Sequence, residues 1–213
     1  VTPLIKKENI YVVTNKEYKD KIKVELGNID PNNIFTEPQN KETATCIGLS
    51  AVKLLKRDGD AVMVVLPSDH HIENEKMGPR IQSSEIPTYK VARFTEKPNV
   101  EVAKDFLLKG TYLWNSGMFV FRADVILREI EKYLPQLYKS LMEIYKHIGE
   151  DDEEEVINEQ YSLIDGISID FGVMQKTRKA FVIKSDFIWD DIGSFSALSR
   201  YLEEKKDNKT SNN

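Results

Sequence analysis

The chain has 213 residues, 40% hydrophobic and 31% charged, with 30 basic and 35 acidic side chains and a formal net charge of −5. That length fits one domain, or one with a small appendage, and suffices to bury a core. No apolar run is long enough to span a bilayer, no charged-then-apolar leader opens the chain, the balance is mildly acidic and Cys46 is the only cysteine; these argue against a membrane span, secretion, nucleic-acid binding, an internal disulfide and a cysteine zinc site, and a cytoplasmic α/β protein is expected.

In chain order, an apolar run at 10–13 predicts a strand, polar residues 16–26 a surface helix, and 33–36 a second short strand. Ile47, Ala51, Leu54 and Leu55 fall at helical spacing within 43–57, with Thr43 placed to cap the start and Gly59 just beyond the end. Residues 61–66 (AVMVVL) form an unbroken apolar run, which predicts a strand buried on both faces. A strand is expected over 89–95, then an amphipathic helix carrying Val102, Ala103, Phe106 and Leu107 that stops at Gly110, then a strand over 118–121. Helices follow over 123–134 and 136–147, broken at Leu134-Pro135. The acidic run at 151–155 predicts a solvated helix start. A last strand at 180–183, a last helix at 194–204 and a polar, frayed tail complete the chain. Alternating strands and helices predict an α/β fold, a doubly wound and mainly parallel mixed sheet flanked by helices. Such sheets bind ligands beyond the carboxyl ends of their strands, so polar residues that follow strands carry the functional expectation.

Pro67-Ser68-Asp69-His70 follows the most apolar strand. Asp69 suits Mg²⁺ coordination through oxygen, against the alternative of an Asx turn or cap. His70 and His71, adjacent on a loop, suggest packing or surface roles rather than a metal pair. Trp189-Asp190-Asp191-Ile192-Gly193 offers a second carboxylate near a second strand end, against the alternative that Asp191 caps a helix. Phe94-Thr95-Glu96-Lys97-Pro98 sets a carboxylate beside an ammonium: Glu96 can accept from sugar hydroxyls and Lys97 can meet a phosphate, or the pair is an exposed loop worth little. In Trp114-Asn115-Ser116-Gly117-Met118, Asn115 both donates and accepts, as a sugar hydroxyl requires, and Gly117 permits positive φ. Ser168-Ile169-Asp170 reads as a helix N-cap. No Gly-rich dinucleotide or Walker cradle and no Gly-x-Ser-x-Gly elbow occurs, which leaves a serine hydrolase without its nucleophile turn.

Taken in order, these pieces, together with Glu37-Pro38 and Lys41-Glu42-Thr43-Ala44, resemble the mannose-1-phosphate guanylyltransferase family of sugar nucleotidyltransferases over about 34–200. The resemblance implies a Rossmann-like nucleotidyltransferase domain over 1–202, incomplete at its N-terminus and near 75–88, with a polar tail at 203–213. It implies a reaction of GTP with mannose 1-phosphate that gives GDP-mannose and pyrophosphate. It assigns Mg²⁺ to Asp69 and Asp191. It assigns the sugar phosphate to Glu96, Lys97, Asn115 and Asp170, with Lys97 catalytic beside the two aspartates. It assigns the nucleotide to Glu37, Pro38, Thr43, Ala44 and Ser68. No nucleic-acid or membrane partner is implied, and a homodimer stays open.

Three departures from the family's pattern stand out. The family opens with a strand and a Gly-rich loop bearing a basic residue, and neither precedes Ile10. It carries a sugar loop between the Pro-Ser-Asp-His and Glu-Lys-Pro pieces, where only residues 72–94 lie here. Glu42 stands where the family has Asn. The expectation is that the 213 residues join stretches of a longer protein, because a domain without its first central strand exposes an unpaired edge. An intact mass near 24.5 kDa refutes it. The alternatives are another hexose-1-phosphate nucleotidyltransferase, or a non-catalytic nucleotide-sugar binding protein without the phosphate loop.

Overall fold

The computed structural model of the chain describes residues 5–73, 87–185, 187–191 and 199. The helix expected at 194–204, the tail and the short segment near 75–88 fall almost wholly outside the described residues. The chain divides into two compact units, one within Val1–Met63, Ala92–Pro98 and Val120–Arg178, the other within Val64–Val91, Asn99–Phe119 and Lys179–Asn213. Among the described residues no helix is long and apolar enough to cross a membrane.

The first unit opens with β1 (Val12–Asn15), a short helical turn and α1 (Lys19–Glu25), then β2 (Ile34–Glu37) and the long α2 (Glu42–Arg57). β1 and β2 run parallel, with Val12 opposite Ile34 and Asn15 opposite Glu37. β3 (Val62–Val65) leads out of this unit and pairs with β6 (Phe119–Arg122), and the Ala123 N–H donates to the Ala61 carbonyl at 2.9 Å. α4 (Ala123–Tyr133), α5 (Pro135–His147) and α6 (Glu153–Leu163) complete the helices. Pro135 ends α4 and opens α5, because its ring cannot continue the helix but suits a first-turn position. Three glutamates occupy the first turn of α6, where the helix dipole favours negative charge.

The core lies among α2, α4, α5 and α6. Leu49 and Val52 of α2, Ile126 and Ile130 of α4, Leu141 and Ile144 of α5 and Tyr161 of α6 are buried. They recur at three- and four-residue spacing, which lines one stripe of each helix. Each such aliphatic contributes about 1.5–3 kcal/mol by leaving water. Gly48 lets α2 approach α5: a methyl built there falls 2.5 Å from Leu141 Cδ1.

The second unit holds β4 (His70–Glu73), β5 (Thr88–Lys90), α3 (Val100–Lys109), β7 (Phe181–Ile183) and β8 (Ile188–Asp191). The Asn99 side chain accepts from the Val102 N–H at 2.9 Å and starts α3; Gly110 ends it in the left-handed region at φ 63°. β4 pairs antiparallel with β8, and β5 antiparallel with β7.

Antiparallel pairing therefore predominates, against the mainly parallel sheet expected from helix–strand alternation. The chain leaves β5, runs through α3 to α6, and returns as β7 in the opposite direction. Strand direction is set by that return, which local pattern does not encode. The buried-strand expectation for 61–66 also needs correction: Met63 is buried, but Val62 and Val64 are 62% and 50% exposed. Burial alternates, as on a strand covered on one face. The strand expected over 89–95 is shorter, so Glu96-Lys97-Pro98 lies in an irregular segment rather than directly at a strand end. Residues 188–191, which follow β7, form a strand themselves.

Candidate active site

The second unit brings three of the sequence motifs together. Pro67, Ser68 and Asp69 form the turn after β3, and Ser68 and Asp69 are exposed. β4 begins at His70, whose register partner is Asp191, while Ile72 faces Trp189 across the ladder. Asp69 therefore sits one residue from the position opposite Asp191, although the two are far apart in sequence. The Trp189 indole N–H donates to His70 Nδ1 at 3.1 Å, and the two rings meet edge to face with centroids 5.0 Å apart. His70 Nε2 lies 3.8 Å from Asp69 Oδ1. Gly117 closes on the same group: it adopts φ 68°, and a methyl there would come 3.3 Å from Pro67 Cγ and 3.5 Å from His70 Cε1. The turn is set by Asn115, whose Oδ1 accepts from the Gly117 N–H at 3.1 Å. Asn115 and Trp114 are exposed.

The first unit holds the remaining candidates. Glu96 is half-buried and Lys97 exposed, with Nζ and Oε1 3.9 Å apart. Burial raises the Glu96 pKa, the nearby Asp170 carboxylate raises it further, and Lys97 opposes both. Lys97 has φ 43°, a left-handed conformation that non-glycine residues rarely hold. Asp170 opens a π-helical turn over Asp170–Met174, and Ser168 Oγ accepts from the Phe171 N–H at 3.3 Å as the expected cap. The start of α2 is tied to the same segment. Thr43 Oγ1 accepts from the Ile169 N–H at 2.9 Å, and the Ala44 N–H donates to the Ile167 carbonyl at 3.1 Å.

Thr43 thus caps nothing on its own helix. Lys41 stands at the N-cap without a side-chain hydrogen bond, and Glu42 takes φ 64°. Asn tolerates that backbone better than Glu does, which gives a physical reason for Asn at this position in the family.

Two nucleotide candidates face inward. Ala44 is fully enclosed, and Glu37 is buried with its Oε1 accepting from the Tyr161 hydroxyl at 2.9 Å. Pro38 beside it is half-buried. Burial pushes the Glu37 carboxyl above its ordinary 4.5, while hydrogen bonds from Tyr161 and Cys46 pull it down. A raised folded-state pKa gives stability that is complete below the unfolded value and lost as pH rises through the folded one. Glu37→Gln keeps an acceptor for Tyr161 without a charge. Its stability relative to the wild type is therefore expected to rise as pH climbs above the ordinary carboxylate value of 4.5 and to level off once the raised Glu37 carboxyl has ionised, read from urea midpoints at each pH. A flat difference removes Glu37 as the titrating group.

Among the described residues no cluster of three or more Asp, Glu, His or Cys side chains could hold a metal by itself. Two carboxylate positions on one ladder end suit Mg²⁺, a hard cation that is held by one or two carboxylates and completes its shell with phosphate oxygens and water. The sequence missed His70 and Trp189 as partners, and Tyr161 as the donor to Glu37. The short stretch Asp69-His70 was visible, but its link to Trp189 needs the strand register.

The nucleotidyl transferase family matches residues 80–208. The alginate biosynthesis protein AlgA of Pseudomonas syringae pv. tomato is 31% identical over 225 residues, covering 88% of this chain and 47% of that protein. Those 225 aligned positions exceed the 213 residues of this chain, so AlgA carries residues within the matched span that this chain lacks. The mannose-1-phosphate guanylyltransferase RfbM of Salmonella typhimurium is 31% identical, covering 90% of this chain and 48% of that protein. The chain spans about half the length of the curated relatives it matches. A crystal structure from Thermus thermophilus, described as mannose-1-phosphate geranyltransferase, superposes with TM-score 0.75 at 25% identity, covering 94% of this chain and 66% of the other. A Helicobacter pylori structure described as mannose-6-phosphate isomerase shares the fold, with TM-score 0.68 at 24% identity over 89% of this chain and 86% of the other. With its Rossmann-like α/β fold and mixed, mostly antiparallel sheet, the chain belongs to the nucleotidyl transferase family, among relatives of the mannose-1-phosphate guanylyltransferase and AlgA kind.

Proposed function

We propose that this chain carries the nucleotidyl-transfer chemistry of a hexose-1-phosphate nucleotidyltransferase, and that its reaction joins GTP and mannose 1-phosphate to give GDP-mannose and pyrophosphate. The observation that carries this reading is the register of β4 on β8, which sets Asp69 beside the partner of Asp191. Asp69 and Asp191 would hold Mg²⁺. The bound ion supplies charge neutralisation between two anionic reactants and a template for their phosphate oxygens.

The chain's own residues bind and orient. Lys97, exposed on its strained bend, meets the sugar phosphate as a point charge. Glu96, held toward its neutral form by burial and by Asp170, offers a sugar hydroxyl either an acceptor or a donor. Asn115 adds a second polar contact of the same kind. Thr43, Ser68 and Pro38 remain the nucleotide-side candidates; the enclosure of Ala44 leaves its side chain no route to a ligand. The attacking phosphate oxygen is already ionised, so positioning and electrostatic stabilisation, rather than proton transfer, carry the reaction.

The test is pyrophosphate release from each of the four nucleoside triphosphates with mannose 1-phosphate and Mg²⁺. Release with GTP above the others supports the full reading. Release with another base, or only with another hexose 1-phosphate, retains the transferase and replaces its substrates. No release with any pair overturns the reading.

A further inference from the structure

His70 is half-buried, and three neighbours hold its ring: Trp189 on Nδ1, Gly117 near the Cε1 edge, and Asp69 facing Nε2. An indole N–H is only a donor, so the His70 Nδ1 that receives it must be the bare acceptor nitrogen. The neutral ring then carries its proton on Nε2, the nitrogen that faces Asp69 Oδ1. At 3.8 Å the contact is longer than a hydrogen bond, so the N–H attracts the carboxylate and biases its rotamer without yet bonding it.

We propose that His70 is the positioning residue for the Asp69 carboxylate, with Trp189 fixing which ring nitrogen carries the proton. The inference rests on the proposed role of Asp69 and Asp191 as Mg²⁺ ligands. Partners one step removed from a metal orient the ligating group and commonly change metal affinity by about tenfold to a hundredfold when lost. His70 is well placed for that role, because it follows Asp69 in sequence and faces Asp191 in register. The indole belongs to the same Trp-Asp-Asp stretch that supplies Asp191, so one side chain links the two carboxylate-bearing segments.

Two measurements test this without any turnover. Long-range ¹H–¹⁵N spectra of the full chain are expected to show His70 with a bare Nδ1 and a protonated Nε2. Trp189→Phe keeps the ring but deletes the donor, and is expected to mix the tautomers. Mn²⁺ binding, followed by electron paramagnetic resonance on protein alone, is expected to weaken about tenfold in Trp189→Phe and about tenfold to a hundredfold in His70→Leu. His70→Gln, whose amide N–H can reach the place of Nε2–H, is expected to recover most of it. A bare Nε2 in the wild type overturns the positioning role and needs no variant that folds. A folded His70→Leu with wild-type Mn²⁺ affinity overturns it as well. A wild-type protein that binds no Mn²⁺ overturns the metal reading and the positioning role together, whatever the tautomer.

Discussion

Asp191→Asn is expected to lower turnover by roughly a hundredfold or more, on the order of 3 kcal/mol of transition-state stabilisation. The substitution is close to isosteric and removes one negative charge from the ladder position opposite His70. Backbone groups make the pairing of β4 with β8, so it should persist and the loss should appear in kcat rather than in folding. Steady-state rates over a Mg²⁺ series read the effect. A variant that matches the wild type at saturating Mg²⁺ removes Asp191 from the mechanism. A variant that loses its circular dichroism signature assigns it a structural role instead.

Leu141→Ala is expected to destabilise the first unit by about 2–5 kcal/mol, because the side chain is fully buried between α5 and α2. The facing residue is Gly48, which has no side chain to move into the space. Glycine inside a helix costs about 1 kcal/mol relative to alanine, so its presence in α2 is explained by the space Leu141 needs. The sign of Gly48→Ala should therefore depend on residue 141. In the wild type the new methyl meets an enclosed Leu141 Cδ1 and is expected to cost about 1–3 kcal/mol. In the Leu141→Ala background it fills part of the cavity and should recover about 1 kcal/mol. Urea midpoints of the four proteins form a double-mutant cycle. Additive effects in that cycle contradict the packing described here.

Helix positions were largely legible because their signals are local. Gly110 ends α3, and Leu134-Pro135 marks the corner between α4 and α5, as their backbone and ring chemistry predict; the Asn99 cap that opens α3 comes from the structure. The helix after the acidic run was foreseen only as a start, because Glu153–Leu163 has a weak apolar stripe, with Ile157 and Tyr161 as its buried residues. Sheet direction was not legible. It depends on where a segment returns after a long excursion, and the unbroken apolarity of 61–66 looked like two-sided burial when Val62 and Val64 are exposed. The turns that carry Asp69 and Asn115 could be located from Pro67, Asn115 and Gly117. The bond between Glu37 and Tyr161 was not legible, because its partners lie 124 residues apart and no nearby residue announces it.

Cys46 lies on α2 beside the buried Glu37 carboxylate, and burial, reinforced by that charge, pushes its thiol up to about 12. Almost none of it is thiolate at neutral pH, so oxidants and maleimides meet an inert sulfur as long as α2 stays packed on β2. It is also the only thiol in the chain. The rate at which an alkylating reagent captures it therefore measures how often this helix lifts away, which gives the protein an intrinsic clock for its own opening.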